Sequence, residues 1–136
     1  MILADTSAWV EYDRATGSGV ERRLTGLVRS GSVAVTDPVV MEVLAGAKTD
    51  EREADLRRLL LRFEVLPFDP VADFDGAVRT YRTCRRAGIT PRGMVDCMIA
   101  AVAWRHGAVL LAQDSDLLRV AEVMGIDVDA ASAPST

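Results

Sequence analysis

The chain alternates short apolar runs with longer amphipathic ones, and that alternation predicts strands separated by helices. Ile2 to Ala4 is the first apolar run. Ala8 to Arg14 predicts a short helix, followed by the turn Thr16-Gly17-Ser18-Gly19. From Val20 to Arg29 the apolar positions Val20, Leu24, Leu27 and Val28 fall on one helical face, and Gly31 ends the pattern. Ser32 to Val35 predicts a second strand. Asp37-Pro38 combines a cap with a proline at the first helical position, so a helix is expected to about Ala47. Thr49-Asp50 opens another through Arg62, with Leu56, Leu59, Leu60 and Phe63 inward. Val65-Leu66 is a weak third strand. Asp69-Pro70 starts a long helix to about Arg86, stopped at Gly88, and Pro91 to His106 predicts the next, stopped at Gly107. Val109 to Ala112 is a fourth strand. Asp114 or Ser115 opens a last helix to about Met124. Ile126 to Val128 is expected at a sheet edge, and Ala130 to Thr136 as a loose tail.

Strands alternating with helices imply an α/β fold: a three-layer α/β/α arrangement around a mostly parallel sheet of four to five strands. No repeat or linker divides the chain, so residues 1–129 are expected to form one domain, with residues 130–136 as tail. At 136 residues the chain can bury a sizeable core. It is 49% hydrophobic but only 5% aromatic, so Val, Leu, Ile and Ala must fill that core. No apolar stretch approaches the roughly 18 residues of a membrane span. The opening Met-Ile-Leu-Ala-Asp lacks a basic segment and reads as a strand rather than a signal peptide, so a cytoplasmic location is expected. Cys84 and Cys97 form no C-x-x-C pair and read as buried, reduced thiols.

Four acids break this apolar pattern. Asp5 ends the first strand. Glu42 interrupts Val39-Val40-Met41-Glu42-Val43-Leu44, and Asp96 interrupts Met94-Val95-Asp96-Cys97-Met98-Ile99. Asp114 follows the fourth strand, with Asp116 two residues on. A carboxylate among core-type residues is costly unless something pairs with it, and several acids without a neighbouring base point to a hard divalent cation with oxygen ligands. In parallel sheets ligands bind beyond the carboxyl ends of the strands, where Asp5 and Asp114 fall. Glu42 and Asp96 reach that edge on helices, and Ala100 and Ala103 on the face of Asp96 leave room beside it. Asp5 also suits a helix N-cap, and one of Asp114 and Asp116 suits the positive end of the last helix. His106, the only histidine, sits at a helix end, where a cation is favoured by the dipole.

A net charge of −4 argues against a generic basic nucleic-acid binder without excluding one, because the charge is unevenly spread. The 16 basic residues comprise Lys48 and fifteen arginines. They cluster at Arg22-Arg23, at Arg57-Arg58 with Arg62, and along Arg79, Arg82, Arg85, Arg86 and Arg92. The first two clusters read as solvated helix faces. The third runs toward Asp96, and guanidinium forks suit phosphate.

The motifs Asp5-Thr6-Ser7, Met41-Glu42-Val43-Leu44-Ala45-Gly46, Asp96-Cys97-Met98-Ile99-Ala100-Ala101 and Ala112-Gln113-Asp114-Ser115-Asp116-Leu117 together resemble PIN-domain ribonucleases, specifically the VapC toxins of bacterial toxin–antitoxin pairs. The resemblance covers residues 1 to about 128, in spacing as well as motifs. It implies a PIN-like fold in which Asp5, Glu42, Asp96 and Asp114 form the catalytic acidic quartet. It implies Mg²⁺ or Mn²⁺ on Asp5, Asp96, Asp114 and Asp116, with Thr6 beside the first acid and Arg92 as substrate contacts. It further implies cleavage of cellular RNA (tRNA, rRNA or mRNA), a homodimer, and a VapB-like antitoxin joining it in a heterotetramer or larger assembly. Leu117 stands where that family commonly has an aromatic residue, a difference of packing more than chemistry.

With no histidine pair and no well-placed lysine, the residue types favour metal-assisted attack of water on a phosphodiester, leaving a 5′-phosphate and a 3′-hydroxyl. The other readings are a non-catalytic RNA- or partner-binding module with a vestigial metal site, and a metal-dependent phosphatase. The second wants an acid two residues after Asp5, where Ser7 stands. The helices around Val20 to Val28 and Leu56 to Phe63 carry more apolar residues than a lone small domain easily hides, and the run Leu59-Leu60-Leu61 cannot turn wholly to one helical face, so one leucine should face a second subunit or an antitoxin helix.

Overall fold

The computed structural model describes all 136 residues. Its elements follow in the order β1 (Ile2–Ala4), α1 (Thr6–Arg14), α2 (Gly19–Ser30), β2 (Val33–Thr36), α3 (Asp37–Ala45), α4 (Asp50–Leu60), β3 (Glu64–Leu66), α5 (Ala72–Arg86), α6 (Met94–His106), β4 (Val109–Leu111) and α7 (Ser115–Met124). The four strands pair in the order β3-β2-β1-β4, all parallel. Parallel pairing places every strand's carboxyl end on the same side of the sheet, and that side carries the acids.

Helices α1 to α4 pack in one connected set and α5, α6 and α7 in another, with α3 meeting α6. Local chemistry explains their limits. The Ser18 hydroxyl accepts from the Glu21 amide at 3.1 Å to start α2, and Gly31 at φ +69° ends it. Val20, Leu24 and Leu27 of α2 are buried, each worth about 1.5–3 kcal/mol relative to exposure. The apolar face of α2 is therefore consumed by the core and offers no partner surface. Helix α6 is buried nearly all round through Cys97, Ile99, Ala100, Ala101, Val102 and Ala103. Its crossing with α5 is close: a Cβ on Gly76 would lie 3.1 Å from that of Ala101. Of the three leucines, Leu60 is fully buried and Leu61 is 57% exposed.

Several boundaries depart from the sequence expectation: Thr36 rather than Asp37 caps α3, α4 ends at Leu60 rather than Arg62, and α5 starts at Ala72 rather than at Asp69-Pro70. The first helix begins at Thr6, immediately after its Asp5 cap. Residues 90–93 form a loop and α6 starts only at Met94, which frees the Arg92 side chain from a helical surface. Ile126 to Val128 makes a single parallel bridge, Leu110 to Val128, rather than a fifth strand. The tail is not loose either. The Ala133 amide donates to the Ala112 carbonyl at 3.0 Å, and Ser135 and Ser115 exchange two hydrogen bonds of 3.0 and 2.9 Å. The exposed edge of β4 provides backbone groups that need partners, and the tail supplies them.

One ion pair fastens the second helical layer. Arg105 of α6 grips Asp73 of α5 with both prongs, at 2.9 and 2.7 Å, and also donates to the Pro67 carbonyl at 2.9 Å. Asp73 is 1% exposed, and its carboxyl is held below the ordinary range by the Arg105 guanidinium and the Asp69 amide against the cost of burial. Arg105→Met leaves that carboxylate buried without its cation. It should lower unfolding free energy by about 3 kcal/mol at neutral pH, read by urea denaturation. A loss within experimental error would show that the pair does not bind the layers together.

Candidate active site

Asp5 closes β1 and caps α1. Its Oδ2 accepts from the Ser7 amide at 3.1 Å and from the Ser7 hydroxyl at 2.7 Å, while Oδ1 is buried with no partner. The Ser7 hydroxyl in turn accepts from the Gln113 amide at 2.9 Å. One hydroxyl thus joins the exits of β1 and β4. Glu42, from α3, accepts from the Thr6 hydroxyl at 2.6 Å. Asp96 lies in the first turn of α6. Asp114 caps α7, its Oδ1 accepting from the amides of Asp116 and Leu117 at 2.9 and 3.2 Å. Its Oδ2 receives the Arg92 guanidinium at 2.9 Å.

These groups line one cleft of about 600 Å³, which contains Asp5, Thr6, Glu42, Arg92, Asp96 and Asp114. The structure therefore gathers six of the seven residues singled out in the sequence. The seventh, Asp116, is not in the lining. Its Oδ2 accepts from the Arg92 amide at 2.9 Å, and its other oxygen faces Arg119 at 3.6 Å. The ordinary turn geometry of a capped helix explains this: with Asp114 as cap, the side chain two residues on points to the loop before α6. Asp116 fixes the Arg92 loop and acts on the cleft through its charge beside Asp96. Ser7, Ser135 and Thr136 belong to the cleft and were not singled out. Only the adjacency of Ser7 to Asp5 hinted at its part. No local pattern marks Ser135 or Thr136, which arrive through pairing with α7 and β4.

Burial and like charge govern the cleft. Asp5 is pushed above the usual carboxyl range chiefly by desolvation, partly opposed by the Ser7 hydrogen bonds. Asp96 is raised to about 7, first by desolvation and then by the charges of Asp5, Asp114 and Asp116, against the pull of Arg92. Acids crowded in this way attract a cation, and the donors are all oxygen, which suits a hard divalent ion. The orphaned Oδ1 of Asp5 fits that reading. No three acidic, histidine or cysteine side chains stand in ligating geometry together; Asp5, Glu42 and Asp114 are each engaged by a different donor. Asp114 is the one of these acids that carries a counter-charge, from Arg92. The thiols take no part: Cys97 is buried and pushed to about 12, and Cys84 is raised as well.

The PIN domain family model matches residues 2–123. This chain belongs to the PIN-domain family. Within it, the VapC proteins are its relatives. It is 44% identical over 128 residues to VapC ribonuclease Mb1587 of Mycobacterium bovis and to ribonuclease VapC11 of Mycobacterium tuberculosis, covering 93% of this chain and 96% of theirs. The fold matches a chain in DNA-bound VapBC from Salmonella typhimurium with a TM-score of 0.73 at 22% identity, over 94% of this chain and 96% of that one. It matches a chain in VapBC2 from Rickettsia felis, bound to a promoter DNA fragment, at 0.74 and 18%, over 95% and 98%. At such identities the two structures establish a shared fold. The PIN domain thus brings its acids to the strand ends as the parallel topology requires.

The pKa of Asp96 makes stability depend on pH in a defined direction. The native PIN domain keeps a proton on Asp96 up to about pH 7, whereas the unfolded chain releases it near 3.8. The native state therefore holds the extra proton, so stability falls as pH rises between those values. Asp69 and Asp73 are shifted the other way and act below that window. In EDTA the melting temperature should fall from about pH 5 to about pH 7.5, and Asp96→Asn should flatten that slope. A wild-type melting temperature that rises across the interval would contradict the electrostatics described.

Proposed function

We infer that this PIN domain is a divalent-metal-dependent endoribonuclease acting as the toxin of a toxin–antitoxin pair. The observation that carries the reading is the meeting of Asp5, Glu42, Asp96 and Asp114 in one cleft beside an arginine. The 44% identity to proteins named VapC ribonucleases supports RNA as the substrate. Asp5, Asp96 and Asp114 would hold Mg²⁺ or Mn²⁺. Bound there, the ion supplies positive charge that neutralises the scissile phosphate and acidifies a water.

The chain's own residues do the rest. Glu42, fixed by the Thr6 hydroxyl, completes the acidic wall. Ser7 holds Asp5 at a single angle between two strands. Arg92 is free to turn from Asp114 to a phosphate, because its side chain is 67% exposed while its amide is anchored by Asp116. Histidine chemistry is ruled out by distance. His106 lies ten residues along α6 from Asp96, roughly 15 Å at 1.5 Å per residue. Water is then the nucleophile, and the products carry a 5′-phosphate and a 3′-hydroxyl. A phosphatase reading is disfavoured because Ser7 occupies the position of a second acid and is engaged with Asp5.

The partner reading rests on exposed apolar side chains. Leu61 is 57% exposed, and on α5 and α6 Phe74 and Trp104 are 61% and 59% exposed. Such surface suits a homodimer and an amphipathic VapB-like antitoxin helix in a heterotetramer or larger assembly. The structural neighbours from Salmonella and Rickettsia are themselves described as VapBC. No helix is long and apolar enough to cross a membrane, and a cytoplasmic site of action fits an RNA target.

Purified protein should cut RNA in Mg²⁺ or Mn²⁺ and stop in excess EDTA. Asp5→Asn and Asp96→Asn should each reduce cutting by about 100-fold or more, at the scale of losing transition-state charge stabilisation, with melting temperature retained. Full cutting under chelation, or by either variant, would sink the metal-site assignment. Arg92→Ala should weaken RNA binding and lower the log–log salt slope by about one, the loss of one phosphate contact. An unchanged slope would return Arg92 to a purely structural pairing with Asp114.

A further inference from the structure

A second cavity of about 360 Å³ opens beside the acidic cleft and shares Thr6, Val10 and Glu42 with it. It lies between α1, the end of α3 and α4. Its apolar wall is Val10, Val43, Ala47 and Leu56, closed by Trp9. Its charged lining is mixed, with Asp13 and the shared Glu42 beside three cations where the cleft has one. Arg14, Lys48 and Arg52 stand there, and Lys48 is the only lysine in the chain. Arg52 is committed to an ion pair with Asp13 that bridges α4 and α1. Arg14 and Lys48 join none of the chain's seven ion pairs and are exposed. The indole Nε1 of Trp9 is buried without a hydrogen-bond partner, a donor whose desolvation is uncompensated in the protein alone.

We propose that this cavity is a nucleobase subsite. It receives one unstacked base next to the scissile phosphate while Arg14 and Lys48 hold the adjoining backbone, and it thereby sets the sequence at which the RNA is cut. The proposal rests on the ribonuclease reading above and adds where specificity resides. Contiguity is the first argument, since two cavities with common walls are filled most simply by one continuous ligand. Size is the second: the volume falls at the small end of ligand pockets, roughly 300–1,000 Å³, which suits one base and its ribose. Charge is the third. A phosphodiester strand needs cations where it leaves the metal site, and the only ones sharing this cavity with the acids are at its rim. Sequence-specific RNA recognition works through splayed single-stranded bases, with phosphate contacts that position and base contacts that specify.

The test fills the pocket without touching the acids. Wild type and Ala47→Phe are incubated in Mn²⁺ with a randomised single-stranded RNA, and the cut ends are sequenced. Wild type should prefer one base at one position beside the cut. Ala47→Phe should lose that preference and cut the preferred sequence at least about tenfold more slowly, the usual scale of a pocket contact. Both proteins should cut equally an RNA made abasic at that position. Lys48→Ala, at an exposed residue outside the core, guards against misfolding. It should raise KM for the preferred RNA with kcat retained. A readout independent of cutting is the fluorescence of Trp9 in a Trp104→Phe background, which the preferred oligonucleotide should quench in EDTA. Quenching by a randomised single-stranded oligonucleotide without any cutting would uphold the subsite and remove the ribonuclease reading. Cutting with no base preference and no quenching would overturn the subsite alone. An Ala47→Phe protein that keeps its preference but escapes inhibition by a co-encoded antitoxin would assign the cavity to a protein partner and overturn the proposal.

Discussion

Everything at the acidic edge depends on one electrostatic constraint: several carboxylates share one cleft, Asp5 buried and Glu42, Asp96 and Asp114 partly buried. Like charges at that separation repel, and burial disfavours each ionised form. The fold opposes this with helix N-termini. Asp5 caps α1, Asp114 caps α7 and Asp96 lies in the first turn of α6, so three sets of unpaired amides and three dipole ends face the same region. The parallel sheet makes that possible, because the helices following β1 and β4 both begin where those strands end. The remaining repulsion is expressed in the raised values of Asp5 and Asp96. Crowded carboxylates of this kind are the chemistry that favours a cation.

Arginine balances the site in a second way. Arg92 neutralises Asp114, but its backbone is held by Asp116 and its side chain is mostly in solvent. A lysine would supply charge without the planar fork that can pass from a carboxylate to a phosphate. Asp116 thus serves the cleft from behind: its carboxylate stands with the other acids in the sequence but works on the loop that carries Arg92. By contrast Asp73 and Arg105 spend the same chemistry on stability, with both prongs engaged and the acid sealed from water. Two Asp–Arg pairs in one small domain therefore do different work because one is exposed at a cavity and the other is not.

The C-terminal residues show how little a local pattern says about strand-edge pairing. Residues 130–136 are small and polar and carry no helical or strand periodicity, yet they run beside β4 and bring Ser135 and Thr136 to the mouth of the cleft. What places them is the row of unpaired backbone groups at the free edge of β4, a property of the sheet order rather than of the tail.

The sequence by itself determined the order of elements, the parallel sheet and the identity of the acids. These follow from short-range physics: apolar periodicity, capping residues and the misfit of carboxylates such as Asp96 within apolar runs. It also led to the expectation that one of Leu59, Leu60 and Leu61 faces outward, and Leu61, the residue just past the end of α4, is the one that does. Tertiary structure alone decided which leucine that is, and that α2 has no apolar surface to spare. It decided that Asp116 supports a loop while Asp114 faces the cleft, and that Ser7 links two strands 106 positions apart in its bond to Gln113. It also set the cavity of mixed charge beside the acidic one, from residues on three helices with no shared motif. Those outcomes turn on which groups compete for the same partner in space, and a chain read residue by residue carries no record of that competition.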